Sequence, residues 1–144
     1  MKTLLDIENL KAWYGLSQVL FGVDLTLREG QVAAMLGRKG MGKSTTINAI
    51  CGMQDRWSGQ IAFDGKSLIG MPSYAIARKG IGLVPEGRRV FGNLSVVENL
   101  TAAATKGYWD LSRVYSYFPR LKERRGQSAV TLSGGEQQML VIGR

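Results

Sequence analysis

VAAMLGRKGMGKSTT, Val32 to Thr46, is the stretch that decides the fold. An unbroken apolar run, Val32 to Leu36, leads straight into glycines at 37, 40 and 42, then into Lys43 and Ser44. A short run without polar alternation predicts a buried parallel strand. The letters that follow fit G-x-x-x-x-G-K-[ST], a loop whose backbone amides cradle phosphate. Glycine lets the backbone curl so that several N–H groups converge. A helix expected over Lys43–Cys51, stopped by Gly52, aims the positive end of its dipole at the same point. In this reading Gly37, Gly40 and Gly42 shape the cradle, and Lys43 reaches the β- and γ-phosphates as a point charge. Ser44 offers Mg²⁺ a hard oxygen, and Thr45 and Thr46 add contacts. Strand, loop and helix in this order predict an α/β architecture with a P-loop nucleotide-binding core.

Outward from the loop, Leu4–Asn9 alternates and reads as a strand. Val19–Leu27 reads as another, with Val19, Phe21, Val23, Leu25 and Leu27 on one face. Gln60–Phe63 and Lys66–Leu68 flank Asp64-Gly65, a hairpin signal. These strands predict an antiparallel β subdomain at the amino end. Pro72–Lys79 is expected to be a helix, and Ile81–Val84 a second short buried strand. Ser95 and Glu98 form a capping box that opens a helix through Thr105. Asp110–Phe118 places Leu111, Val114 and Phe118 on one helical face, with Pro119 as its stop.

Composition narrows the chemistry. The chain has 144 residues, 44% of them hydrophobic, enough for a packed core. It has no histidine and one cysteine, Cys51. Ser-His-Asp catalysis, histidine metal sites and tandem CxxC zinc sites are therefore excluded within these residues. Cys51 reads as a small buried hydrophobe. Net charge is +8, from 19 basic and 11 acidic residues. The basic residues are dispersed, with short clusters at Arg88-Arg89 and Lys122–Arg125, and no nucleic acid is expected as a partner. Asp6 and Glu8 come too early for a signal peptide, and no apolar run approaches membrane-spanning length. A cytoplasmic protein that meets membranes through a partner is the expectation.

LSGGEQ, Leu132 to Gln137, is the second informative motif. Ser133 and Glu136 make another capping box. A capping box needs no glycines, yet Gly134 and Gly135 stand inside it at about 1 kcal/mol each of helix stability. Two glycines in a first turn permit close approach by a ligand, and the helix dipole favours an anion.

Phosphate loop and LSGGEQ, in this order, resemble the nucleotide-binding subunit of ABC transporters over essentially all 144 residues. The resemblance implies ATP and Mg²⁺ as cofactors and a helical subdomain over roughly residues 71–130 of a single domain. It also implies a head-to-tail pair of ATPase subunits sandwiching two nucleotides. Ser133, Gly134 and Gly135 then touch the γ-phosphate of ATP held by the other subunit, and Gln137 supports their turn. Tyr14, or its neighbour Trp13 on the opposite face, stacks on adenine. Glu86 stands where the family usually has glutamine; there it touches Mg²⁺ and water and senses the membrane subunit. Lys43 and Glu86 are the residues expected to serve catalysis. Lys39 replaces a usual asparagine, either as a second cation near the γ-phosphate or as a solvated side chain.

LVPEGRRVF from Leu83, VVENL from Val96 and YFPRLKERR from Tyr117 resemble the ATPases of branched-chain amino-acid uptake. ATPases for urea and short amides are close relatives of these. Gly92 and Val141 depart from the usual proline and alanine. The implied partners are a like or sister ATPase subunit, membrane permease subunits, and indirectly a solute-binding protein. The implied location is the inner face of the plasma membrane, and Arg88-Arg89 are expected near the permease or the nucleotide. The family pattern continues with a strand ending in a Mg²⁺-binding aspartate, a water-polarising glutamate and a histidine, none of which is among these residues. An incomplete cassette that binds nucleotide weakly, hydrolyses little ATP and aggregates is the expectation. A nucleotide-binding fragment without hydrolysis, or a clamp like the ABC proteins of translation and DNA repair, are the alternatives.

Overall fold

The computed structural model describes residues 1–87 and 89–144. They form two compact units, Met1–Leu83 and Val84–Arg144.

In the first unit, strand β1 (Thr3–Tyr14) pairs on one side with β2 (Ser17–Arg28) and on the other with β3 (Arg56–Phe63); β4 (Lys66–Ser67) completes the sheet. All pairings are antiparallel, in the order β2-β1-β3-β4. The expected hairpin forms around Asp64-Gly65, both at positive φ (51° and 71°), as the tight turn between twisted strands requires. Leu5, Ile7, Leu10 and Ala12 of β1 lie in the core with Leu20, Ile61 and Leu68.

The step from Ile7 to Leu10 breaks the two-residue period, and β1 runs past its expected end at Asn9 for this reason. Both of its ladders slip between Ile7 or Glu8 and Leu10 or Lys11, the signature of a bulge. Asn9 sits at φ 50°, and its N–H donates to Asp24 Oδ1 at 2.7 Å. A side chain on Gly59 would start 2.5 Å from the Asn9 carbonyl oxygen, so β3 must carry glycine there. The bulge returns Leu10 and Ala12 to the core face. In β2 the expected face holds for Val23, Leu25 and Leu27, but Leu20 is buried and Phe21 is 75% exposed.

Helix α1 (Lys43–Ile50) buries Thr45, Thr46, Ala49 and Ile50, and the chain turns away at Gly52 (φ 68°), as the sequence predicts. Helix α2 (Ser73–Ala77) is shorter than expected and begins after Pro72. Its Ile76 packs into the core of the first unit, so this helix does not belong to the helix-rich second unit. Neither expected parallel strand forms. Residues 31–38 and 81–85 carry no regular structure, and Val32 and Leu36 are 98% and 92% exposed. A parallel strand needs ladder partners and cover on both faces. Neither run finds a partner strand among the described residues.

The second unit is helical. Helix α3 (Val96–Thr101) starts with the expected capping box but stops at Thr101 rather than Thr105. Residues 101–107 bring no long apolar side chain to pack, and a short helix survives only through packing. Helix α4 (Leu111–Tyr117) is capped by Asp110, whose carboxylate accepts from the Arg113 N–H at 2.8 Å. Pro119, the expected stop, is also the first residue of α5 (Pro119–Glu123), where its missing N–H costs nothing. A 3₁₀ turn (Ala129–Thr131) leads into α6 (Gly134–Gly143). Val96, Leu100, Val114, Leu121, Ala129, Leu132 and Leu140 form its core. Gly143 lets α6 approach closely: a Cβ there would lie 3.0 Å from Val114 and 3.2 Å from Leu100.

Candidate functional site

The phosphate-type loop is built as its glycines require. Gly40 and Gly42 take φ of 88° and 80°, which other residues adopt only under strain. Gly42 also lies against β2, where a Cβ would sit 2.4 Å from Leu20 Cδ2. Gly37, at φ 157°, opens the loop. Lys43 Nζ donates to the carbonyls of Gly37 (2.7 Å) and Arg38 (2.9 Å), which holds its ammonium over the loop. Thr46 is tied back to Gly42, its N–H and Oγ1 both donating to that carbonyl at 2.9 and 3.0 Å. No side chain caps α1, and its first turn holds no acidic residue. The positive end of its dipole is therefore left for an external anion. Ser44 and Lys39 are exposed on this loop and helix start, while Thr45 is buried.

Tyr14 and Trp13 separate as adjacent strand residues do. Tyr14 Oη lies 3.4 Å from Thr45 Oγ1, on the first turn of α1, and the ring is 54% exposed. Trp13 carries the Arg56 guanidinium at 5.3 Å from its ring centre, and its carbonyl accepts from Gln54 Nε2. Of the two, Tyr14 is the one joined to the helix that follows the loop. Burial pushes the Cys51 thiol up, which suits a packing role rather than a nucleophile.

In the second unit, the LSGGEQ segment forms its box. The Glu136 N–H donates to Ser133 Oγ at 3.4 Å, and the Ser133 N–H donates to Glu136 Oε2 at 3.0 Å. The Ser133 N–H and hydroxyl hold the Glu136 carboxyl below the usual carboxylate range, with help from Arg124, whose Nε lies 2.9 Å from Oε1. Gln137 Nε2 donates to the carbonyls of Leu132 and Val130 at 3.1 and 3.2 Å, with Ala129 at 3.4 Å. It fastens the 3₁₀ turn to α6. Gly134 opens α6, and around Gly135 a Cβ would meet nothing within 4 Å.

Glu86 is exposed in a turn completed by Gly87 at φ 86°. Arg88 lies outside the described residues. Arg89 is exposed, and its carbonyl accepts from Arg144 Nη1 at 3.3 Å. Among the described residues no group of three or more His, Cys, Asp or Glu could hold a metal ion. The Ser44 hydroxyl, exposed at the start of α1, is a hard oxygen of the kind Mg²⁺ takes alongside phosphate and water.

Asn99 is a structural residue that motif reading misses. It is fully buried, accepts from the Phe91 N–H at 2.8 Å, and donates to the carbonyls of Phe91 and Ser95 at 3.0 Å. It therefore ties down the segment that follows Glu86 and Arg89. The signal was present: Asn99 shares a helical face with Val96 and Leu100, at the spacing of a core position.

Residues 20–144 match the ABC transporter family model. Over 98% of its length the chain is 43% identical to the high-affinity branched-chain amino acid transport ATP-binding protein BraG of Pseudomonas aeruginosa, covering 63% of that protein. Over 96% it is 33% identical to the probable branched-chain amino acid transport ATP-binding protein LivF of Archaeoglobus fulgidus, covering 61% of it. A solved structure of the ATP binding subunit of an ABC transporter superposes with a TM-score of 0.81 at 27% identity, over 98% of this chain and 60% of that one. The chain thus spans about three fifths of the length of the relatives it matches. With the loop, the glycine-bearing helix start and the match over residues 20–144 in agreement, the chain belongs to the ABC transporter ATP-binding family.

Proposed function

We propose that this chain is the nucleotide-gripping part of an ATPase subunit that powers import of branched-chain amino acids through a membrane permease. The observation that carries the reading is the start of α1. An uncapped helix, a loop at positive φ and a lysine held over that loop make a phosphate cradle. The identity to BraG supports the choice of solute.

In this function the β- and γ-phosphates of ATP lie in the loop formed by Gly37, Lys39, Gly40, Gly42 and Lys43. Lys43 exchanges its loop carbonyls for phosphate oxygens, Thr45 contacts the phosphates, and Ser44 would offer its hydroxyl to Mg²⁺; Glu86 is the second residue proposed to serve catalysis. Tyr14 stacks on adenine and, through Thr45, orients the start of α1. When bound, Mg²⁺ would supply positive charge against that developing on the γ-phosphoryl group as it passes to water. Ser133, Gly134 and Gly135 bind the γ-phosphate of ATP held by a second subunit, and Gln137 keeps their turn in shape. The pair works as a peripheral assembly on the inner face of the plasma membrane, with permease subunits and, through them, a solute-binding protein.

The test is uptake. Replacing the gene's Lys43 codon by alanine is expected to abolish labelled leucine import and leave urea import intact. Loss of urea or short-amide import alone would transfer the function to that class of solute. Unchanged import of all of them would contradict a transport role.

A further inference from the structure

Resting on the assignment of the α6 start to the γ-phosphate of ATP held by a second subunit, we infer that Arg124 is a positioning residue for that site. It cancels the charge of Glu136, so that a carboxylate can fix the turn without repelling the phosphate. Glu136 is the only charged side chain between Arg125 and Arg144. Its carboxylate accepts from the Ser133 N–H at 3.0 Å, on the same turn as Gly134 and Gly135. Left alone, it would set a negative charge where an anion is to bind. Arg124 meets it: Nε lies 2.9 Å from Oε1, and the Glu136 side chain is only 13% exposed. Arg120 acts on the same carboxylate more weakly and is itself engaged by Glu123 at 3.0 Å.

Capping alone does not call for the arginine. Glu98 closes the same box at α3, and among the described residues it pairs with no basic side chain. The arginine accompanies the box that holds two glycines, not the one that holds two valines. Its place is set from outside α6. Arg124 ends α5, and its Nη1 donates to Gln127 Oε1 at 3.2 Å. The backbone just beyond it is held to α3, where the Val97 N–H donates to the Arg125 carbonyl at 2.9 Å and the Val96 N–H to the Gln127 carbonyl at 3.0 Å. The pair is thus anchored by α5 and α3, and the space around Gly135 stays open.

The experiment measures ATP-dependent association by sedimentation, of the chain with itself or with a co-expressed sister ATPase. R124Q should associate about tenfold more weakly than the parent, the scale of one unit charge several ångströms from a phosphate at a wet site. That deficit should shrink as salt rises from about 0.05 to about 0.5 M, because it is a repulsion. R124K keeps the charge and should stay within about threefold of the parent. E136Q keeps the box, which glutamine also closes, and should associate as tightly as the parent or more so. R124Q/E136Q should return to within about threefold of the parent, because no charge is left to cancel. Melting curves check each fold. An R124Q that associates like the parent, or a double variant as weak as R124Q, would overturn this inference and leave the phosphate assignment standing. Where R124Q alone fails to fold, a double variant more than about tenfold weaker than the parent does the same. A parent that shows no ATP-dependent association would overturn both.

Discussion

Helices α3 and α6 begin with the same chemistry and end up doing different things. Ser95 and Glu98 close one capping box, Ser133 and Glu136 the other, each through reciprocal hydrogen bonds. Between serine and glutamate, α3 carries Val96-Val97 and α6 carries Gly134-Gly135. Val96 is completely buried, so the α3 start serves the core. Gly135 has open space where a side chain would stand, so no internal packing demands glycine there. Capping does not demand it either, since α3 is capped without it. The proposed role at a second subunit's phosphate, which would need close approach to the backbone, supplies a reason for both glycines. A third start, that of α1, has neither serine nor glutamate and leaves its dipole to an anion.

Breaking α3 at its core residue gives the largest effect. Val96→Gly should cost about 3 kcal/mol, from a lost buried side chain and lost helix propensity, read by urea denaturation. Asn99→Ala should cost about 2 kcal/mol, because it removes the buried partner of the Phe91 N–H and carbonyl, and should raise hydrogen exchange in residues 91–95. Ser95→Ala and Ser133→Ala should each cost about 1 kcal/mol, which is the sense in which the two boxes are equal. Smaller still is the acid response. Glu98 and Glu136 are held below their ordinary value of 4.5, chiefly by the N–H of Ser95 and of Ser133. Their contribution is complete above that value and is lost as pH falls through the lower folded values. A melting series from pH 7 to 3 should fall less steeply for E98Q/E136Q than for the parent.

Much of this was legible in the letters because the signals are local. The two boxes, the Asp64-Gly65 turn, the glycine loop and the Gly52 stop each depend on residues a few positions apart, and each formed. The bulge at Asn9 was not legible. It depends on Gly22 and Gly59 in two other strands, and only their approach to Asn9 shows why the period of β1 changes phase. Val32–Leu36 and Ile81–Val84 failed for a related reason. An apolar run reports that a segment wants cover, and only pairing makes it a strand. Gly143 is a contact point, 3.0 Å from Val114 for an added Cβ, and nothing in its neighbouring letters says so. At the site, Lys43, Ser44 and the glycines are legible from the motif. The bond from Tyr14 to Thr45 and the fastening of the turn by Gln137 needed the fold.

The most direct test of the central claim is a single variant with two readings. Gly135→Ala should leave the chain as stable as before or raise its stability by about 0.5–1 kcal/mol, since alanine is the better helix residue and the space is open. The same variant should lose ATP-driven association, with itself or with a co-expressed sister ATPase, by at least about tenfold in sedimentation. Stability gained and association lost is the result this account predicts. A destabilised Gly135→Ala, or one that associates with ATP as the parent does, would contradict it.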